Sequence, residues 1–185
     1  MSGADPSLEA ALVTLRTRVD GHFDAAHARS PTSFACAPGC ESCCHQQLSV
    51  FEVEAARIRR ALSALEDRDP GLRQRVREQA AVLDDPRCAL LVEGRCSIYA
   101  ERPLICRSHG LPIAVPTPDD PEVLEVDHCP LNFTEAPPPR ASILVLDALN
   151  RPLAVLAELA APGQPRVPLR ELAAATAADP GSPPG

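Results

Sequence analysis

Lysine is absent from this 185-residue chain: all 18 of its basic residues are arginine. A lysine Schiff base and a phosphate-binding P-loop lysine are thereby excluded. Genome composition accounts for the missing lysine without invoking function. A long apolar run is missing too. The longest, near Ile143 to Leu149, is broken by Asp147 and is too short to span a bilayer. The opening residues Met1-Ser-Gly-Ala-Asp-Pro6 hold neither a basic stretch nor an apolar one, so no secretory signal is expected. The net charge is −7, and no basic patch offers itself to a phosphate backbone. These absences point to a cytoplasmic protein that binds neither membrane nor nucleic acid. No internal repeat is present.

Cysteine, by contrast, is crowded. Cys36, Cys40, Cys43 and Cys44 stand within nine residues, and Cys88, Cys96, Cys106 and Cys129 follow. In a reducing compartment eight cysteines read as metal ligands or redox groups before they read as disulfides. The first cluster gathers several soft sulfur ligands on one tight turn, as a thiophilic metal needs. Structural zinc takes four thiolate or imidazole ligands, and iron–sulfur clusters are also held by four thiolates. Eight thiols suffice for two such sites, or for one with spare thiols beside it. Adjacent side chains rarely point at one metal, so Cys43 and Cys44 are expected to do different jobs. Ligands from Cys36 to Cys44 completed by later cysteines would tie distant loops together and offset their ordering entropy.

The rest of the chain reads as mainly α. Asp5 and Pro6 suit the start of a helix over residues 5–29, with Leu8, Leu12, Leu15, Val19 and Phe23 at helical spacing. Ser49-Val-Phe-Glu52 has the form of a capping box, which predicts a second helix from about Val50. Glu52 and Glu54 would then stabilise its N-terminal dipole. Asp69-Pro70 opens a third helix, with Leu72, Val76, Ala80 and Leu83 on one face and Asp84-Asp-Pro86 ending it. Residues 89–99 read as a short hairpin turning at Gly94-Arg95. A turn or single helical turn is expected over 101–106. Prolines crowd residues 110–140, which are expected to be irregular. A last helix is expected between about Asp147 and Ala161, despite Pro152. The expected organisation is an N-terminal helix over 1–33, a cysteine-cluster metal-binding domain over 34–133, a C-terminal helix packing on it over 134–161, and a mobile Pro/Ala-rich tail over 162–185. A short helix near 169–175 is an alternative for part of that tail.

Several neighbours of the cysteines invite chemistry. His45, His109 and His128 each lie within three residues of one. Hydrogen bonding or loop surface is the expectation for them, with a mixed Cys/His site the alternative. His22 and His27 are expected on the surface of the first helix. Arg102 and Arg107 flank Cys106, where a guanidinium either favours a thiolate or forms an ordinary ion pair. Ser108-His109 lacks a nucleophile elbow and is not read as a hydrolase pair. Cys36-x3-Cys40-x2-Cys43 has the spacing of a radical-SAM loop, but Ser42, the extra Cys44 and the lack of alternating strands and helices argue against that chemistry. Cys129-Pro130 is similar to the Cys-Pro that ends a bacterial ferredoxin ligand run.

The first cluster, the block Cys88…Gly94-Arg-Cys96-Ser-Ile-Tyr99-Ala-Glu-Arg102-Pro103-Leu-Ile-Cys106-Arg107 and the later Cys129-Pro-Leu-Asn-Phe133 resemble the YkgJ-type cysteine-cluster family, a zinc- or iron-chelating domain. The resemblance covers about residues 34–133 with all eight cysteines present. One departure is three residues rather than two between Cys36 and Cys40. The resemblance implies chelation of zinc or iron by Cys36, Cys40, Cys43, Cys44, Cys88, Cys96, Cys106 and Cys129. A related branch contains flagellin lysine methylases. This chain shows no glycine-rich strand–loop–helix for S-adenosylmethionine, so that activity is not carried over. The expected fold is a small metal-stapled helical domain with one short β-hairpin and long irregular loops. The expected function is binding of a 4Fe-4S cluster or zinc in a structural, redox or maturation role. A cluster-dependent modifying enzyme of the protein methylase kind, and a thiol redox sensor or metal buffer, are the alternatives. The expected partner is the metal ion or cluster; no protein partner is named.

Overall fold

The computed structural model describes residues 5–120 and 122–176. Among the described residues six α-helices are the main elements: α1 (Pro6–Arg29), α2 (Glu52–Arg68), α3 (Pro70–Ala81), α4 (Leu104–Ser108), α5 (Asp147–Ala160) and α6 (Leu169–Ala174). Seven short strands accompany them: β1 (Ser49–Val50), β2 (Leu91–Val92), β3 (Arg95–Cys96), β4 (Ile113–Pro116), β5 (Leu124–Asp127), β6 (Leu144–Val145) and β7 (Val167–Pro168). The class is mainly α, as expected. No helix among the described residues is long and apolar enough to cross a membrane. Two units divide the chain: residues 1–43 with 103–163, and residues 44–102 with 164–185.

In the first unit, α1 begins as its sequence dictates. The Asp5 carboxylate accepts a hydrogen bond from the Ser7 N–H at 2.8 Å, and Pro6 occupies the first turn, where its missing N–H costs nothing. Leu12, Leu15, Val19 and Ala26 bury one face, each leucine contributing roughly 2 kcal/mol. Against this face pack α4 and α5, the latter through Leu149, Leu153, Leu156 and Ala157. Pro152 sits inside α5, where it forgoes one backbone hydrogen bond.

The region expected to be irregular contains β4 and β5, which join β6 beyond it in a three-stranded sheet of order β5-β4-β6. Strand β4 pairs antiparallel with β5, Ala114 opposite Val126, and parallel with β6, Ala114 opposite Val145. Its prolines fall where a ladder tolerates them. Pro112 precedes β4 and Pro116 is its last residue. The turn between β4 and β5 is held by Thr117, whose hydroxyl donates to the Asp120 carbonyl at 2.8 Å.

The second unit is built on a helical hairpin. Asp69 ends α2 with its N–H on the Leu65 carbonyl (2.7 Å) and starts α3 with its carboxylate on the Leu72 N–H (2.9 Å). One residue thus satisfies orphan groups of two helix ends. Ile58, Leu62 and Leu65 of α2, Val76 and Ala80 of α3, Leu90, Val92 and Ile98 around the β2–β3 hairpin, and Leu169 and Leu172 of α6 form the core. The hairpin turns at Glu93 (φ 52°) and Gly94 (φ 71°), one residue earlier than expected.

Three expectations are corrected here. Ser49 does not cap α2. Its backbone is engaged in β1, opposite Pro168, and the helix starts at Glu52 after Phe51, which makes no side-chain cap bond. Glu52 therefore stands in the first turn and pairs with Arg59 instead. Helix α3 ends at Ala81, so Leu83 lies past it, exposed rather than on the buried face. Residues 167–174, within the expected tail, form β7 and α6, because Leu169, Leu172 and Ala173 recur at helical spacing and are buried. Residues 177–185 of that tail lie outside the described residues.

Two arginines lock α3 and α6 together. The guanidinium of buried Arg73 donates to the carbonyls of Ala173 (2.6 Å) and Ala175 at the end of α6. Reciprocally, Arg170 of α6 donates to Ala80 (3.1 Å), Val82 and Asp85 (2.7 Å) at the end of α3. Each supplies partners to carbonyls that a helix end leaves orphaned. Arg73→Met is expected to lower stability by about 1–3 kcal/mol, the range for stranding buried acceptors, seen as a lower urea midpoint at unchanged slope. A parental midpoint would show that those carbonyls do not depend on Arg73.

Candidate metal site

The three-residue spacer between Cys36 and Cys40 has a local cause. Ala37-Pro38-Gly39-Cys40 is a tight turn, closed by the Cys40 N–H on the Ala37 carbonyl at 2.9 Å. Proline presets the second position, and Gly39 takes φ +96° at the third. The two cysteines thereby bracket a rigid reversal. A 3₁₀ turn over Ser42–Cys44 follows and carries the next two.

Two neighbours crowd the Cys36 sulfur. Asn132, fully buried, donates its amide N–H to the Gly110 carbonyl at 2.8 Å and to the Cys36 sulfur at 3.5 Å. Its amide oxygen accepts from the Ala35 N–H at 2.8 Å, and its own N–H donates to the Cys129 carbonyl at 2.9 Å. Gly110 (φ +92°) presents bare backbone to the same sulfur; a Cβ built there would stand 2.5 Å from Cys36 Sγ. No larger residue fits without displacing the thiol.

Beside it stands most of the chain's small aromatic complement. The sequence has four phenylalanines, and three of them, Phe23, Phe34 and Phe133, meet here. Phe34 and Phe133 pack edge to face with centroids 5.0 Å apart, and the rings of His27 and His128 complete the cluster at 5.5 and 5.7 Å. Phe133 takes φ 53°, a region costly for a bulky side chain by about 1–3 kcal/mol. Its ring packing and its N–H bond to the Ser33 carbonyl (2.8 Å) hold it there.

Burial raises the Cys36 thiol above its usual pKa; the Asn132 amide opposes this, while Cys40, Cys129 and Cys43 add to the rise. The last three are therefore within electrostatic reach of Cys36. Cys106 lies in the same unit, on α4. In the second unit, the Cys44 carbonyl accepts from the Cys88 N–H at 2.7 Å, the Cys88 carbonyl accepts from Leu91 at 2.9 Å, and Leu91 pairs with Cys96 across the hairpin. Cys88 and Cys96 also pack against that unit's core. The eight cysteines thus fall five and three: Cys36, Cys40, Cys43, Cys106 and Cys129, then Cys44, Cys88 and Cys96. No disulfide joins any of them.

Among the described residues, no three Cys, His, Asp or Glu side chains already converge as ligands of an ion. The donor chemistry of the first unit nonetheless suits a thiophilic metal: Cys40, Cys43 and Cys129 lie within electrostatic reach of Cys36, whose sulfur accepts from an amide.

The neighbouring side chains take quieter parts. His109 Nδ1 and the Ser108 hydroxyl both meet the Ile105 carbonyl, at 2.6 and 3.1 Å, so this dipeptide closes α4 rather than forming a nucleophile pair. His128 Nδ1 meets the Cys129 carbonyl at 3.1 Å. His22, expected on the surface, is half-buried with Nε2 3.0 Å from the Ser142 carbonyl. Arg107 forms a two-pronged ion pair with Asp20 at 2.8 and 2.6 Å. Arg102 stacks its guanidinium 3.7 Å above the Tyr99 ring. Asn132 and Gly110 went unrecognised in the sequence as site residues. The available signal was the place of Asn132 three residues after Cys129.

Residues 35–126 match a family model described as "CxxCxxCC: Putative zinc- or iron-chelating domain". The match stops before Cys129 and Asn132. Neither a curated protein nor a solved structure matches the chain significantly.

Gly39→Val is expected to cost about 1–2 kcal/mol, the left-handed penalty for a side chain, because nothing else crowds that position. Thermal denaturation measures it. A variant as stable as the parent would show that the turn does not hold Gly39 at positive φ in solution.

Proposed function

Residues 35–126 belong to the CxxCxxCC family of zinc- or iron-chelating domains, and from that premise we propose that the chain binds its metal through cysteine thiolates, chiefly Cys36, Cys40, Cys43 and Cys129 of the first unit. The observation that carries this reading is the electrostatic proximity of Cys40, Cys43 and Cys129 to the Cys36 sulfur, which accepts an N–H from Asn132. Cys106 is a fifth thiol of the same unit. Cys44, Cys88 and Cys96 are proposed as further chelating thiols of the second unit, gathered by the backbone bonds of the hairpin. The metal is zinc or iron, the latter as an ion or a 4Fe-4S cluster, since both chemistries accept four thiolates.

The proposed role is first of all structural. Residues 34–45 and 128–139 have little periodic apolar character, and four prolines interrupt the second stretch. Where a site forms only in the folded state, its metal-binding free energy is folding free energy. A reducing compartment such as the cytoplasm keeps the thiols available.

Elemental analysis and thiol counting on anaerobically purified protein test this reading. The expected result is stoichiometric zinc or iron, with thiols protected until a chelator is added. A brown protein absorbing in the visible blue identifies an iron–sulfur cluster, and a colourless one zinc. Eight titratable thiols and no metal would refute chelation.

Cys43 and Cys44 are expected to be inequivalent. Cys43 lies in the field of Cys36, whereas the Cys44 backbone is tied to Cys88. Cys43→Ser is expected to lose the metal of the first unit, and Cys44→Ser to retain it. Equal loss from both variants would count against a first-unit site built on Cys43 alone of the pair.

A further inference from the structure

Asn132 has no room to be an ordinary loop residue. It is wholly buried, and its side chain and backbone make four hydrogen bonds to three separate stretches of chain. An amide serving only to fasten loops would place its hydrogens on carbonyls. Here one carbonyl bond goes to Gly110, and the other donor direction is spent on the Cys36 sulfur. Gly110 presents bare backbone to a neighbouring flank of that sulfur: a Cβ there would stand 2.5 Å from Cys36 Sγ and 3.5 Å from the Asn132 amide nitrogen. The thiol therefore rests against an N–H donor and, next to it, a backbone wall that admits no Cβ. The same residue also anchors the Cys129 carbonyl, so a second thiol-bearing segment is referenced to the same amide.

Resting on the chelation reading above, we propose that Asn132 is the positioning residue of the first-unit metal site: it aims Cys36 at the metal and tunes that sulfur by donating an N–H to it. Such a donor withdraws charge from a ligating sulfur and alters its bond to the metal. It also restricts the sulfur to one direction before any metal arrives, so less ordering is left to the binding step. Gly110 is the matching half of the device, conserving the space into which the sulfur is pressed.

Cobalt(II) provides the probe, because its sulfur-to-metal charge-transfer band reports on the thiolates directly. The full-length chain, its Asn132→Asp variant and a Leu149→Ala control are titrated with Co2+ against a competing chelator. Asn132→Asp keeps the oxygen that accepts from Ala35 but replaces the donor beside the sulfur with a second oxygen. Leu149→Ala weakens the same unit's core away from the cysteines. The expected result is at least a tenfold loss of Co2+ affinity and a shifted charge-transfer band in Asn132→Asp, with both unchanged in Leu149→Ala. If Asn132→Asp does not fold, Asn132→Ser, too short to reach the sulfur, is read in the same way. A parental band and affinity in the Asn132 variant would overturn the proposal, as would an equal loss in Leu149→Ala. Failure of the parental chain itself to bind Co2+, with all eight thiols titrating, would overturn the chelation reading and this one together.

Discussion

One buried carboxamide holds the first unit's cysteine loops in register. The segment ending at Cys36, the Gly110 turn and the loop after Cys129 are distant in sequence, and each presents a backbone or sulfur atom to Asn132. Without such a hub, each loop would keep backbone groups that neither helix nor strand satisfies. The aromatic cluster packed beside it excludes water, which strengthens those hydrogen bonds and raises the cost of breaking any one of them. The unusual backbone of Phe133, next in the chain, is the local strain that this arrangement maintains.

A related economy governs the second unit. Its core is small, and its helices end in the open carbonyls that short helices always have. Arg73 and Arg170 resolve both ends with one pair of side chains, each reaching from its own helix to the terminus of the other. Arginine suits this because its planar fork addresses two carbonyls at once. Arg73 remains charged although burial and the neighbouring Arg77 both disfavour it, with Glu66 compensating. In a chain without lysine, arginine serves as structural cement as well as surface charge.

The legible parts of the sequence were those with period or punctuation. Asp5-Pro6 and Asp69-Pro70 announced two helix starts correctly, and the apolar spacing of α1 gave its buried face apart from details at the ends. The hairpin between Cys88 and Tyr99 was visible from its glycine and apolar runs. Strands of two to four residues have no period to detect, so β1, β7 and the β5-β4-β6 sheet stayed hidden, and the prolines around β4 argued misleadingly for irregularity. Ser49 deceived for a different reason: its capping pattern was real, but pairing with β7 claimed the residue first. In the candidate site the cysteines stand out in the sequence, whereas the Asn132 and Gly110 contacts to Cys36 do not. Their importance lies in three-dimensional proximity to Cys36, which no local pattern encodes.

Both units are discontinuous in the chain, and this orders events during synthesis. The first unit has all of its residues once Gly163 has emerged from the ribosome. The second has its helical hairpin and three of the cysteines far earlier, yet waits for α6, near the end of the chain, to cover its core. Until then Leu62, Leu65 and Val76 lack the apolar partners that Leu169 and Leu172 supply. The open end of α3 likewise lacks Arg170. Between the emergence of α3 and that of α6 the nascent chain therefore carries a half-finished apolar surface, the kind of state that aggregates or recruits a holdase.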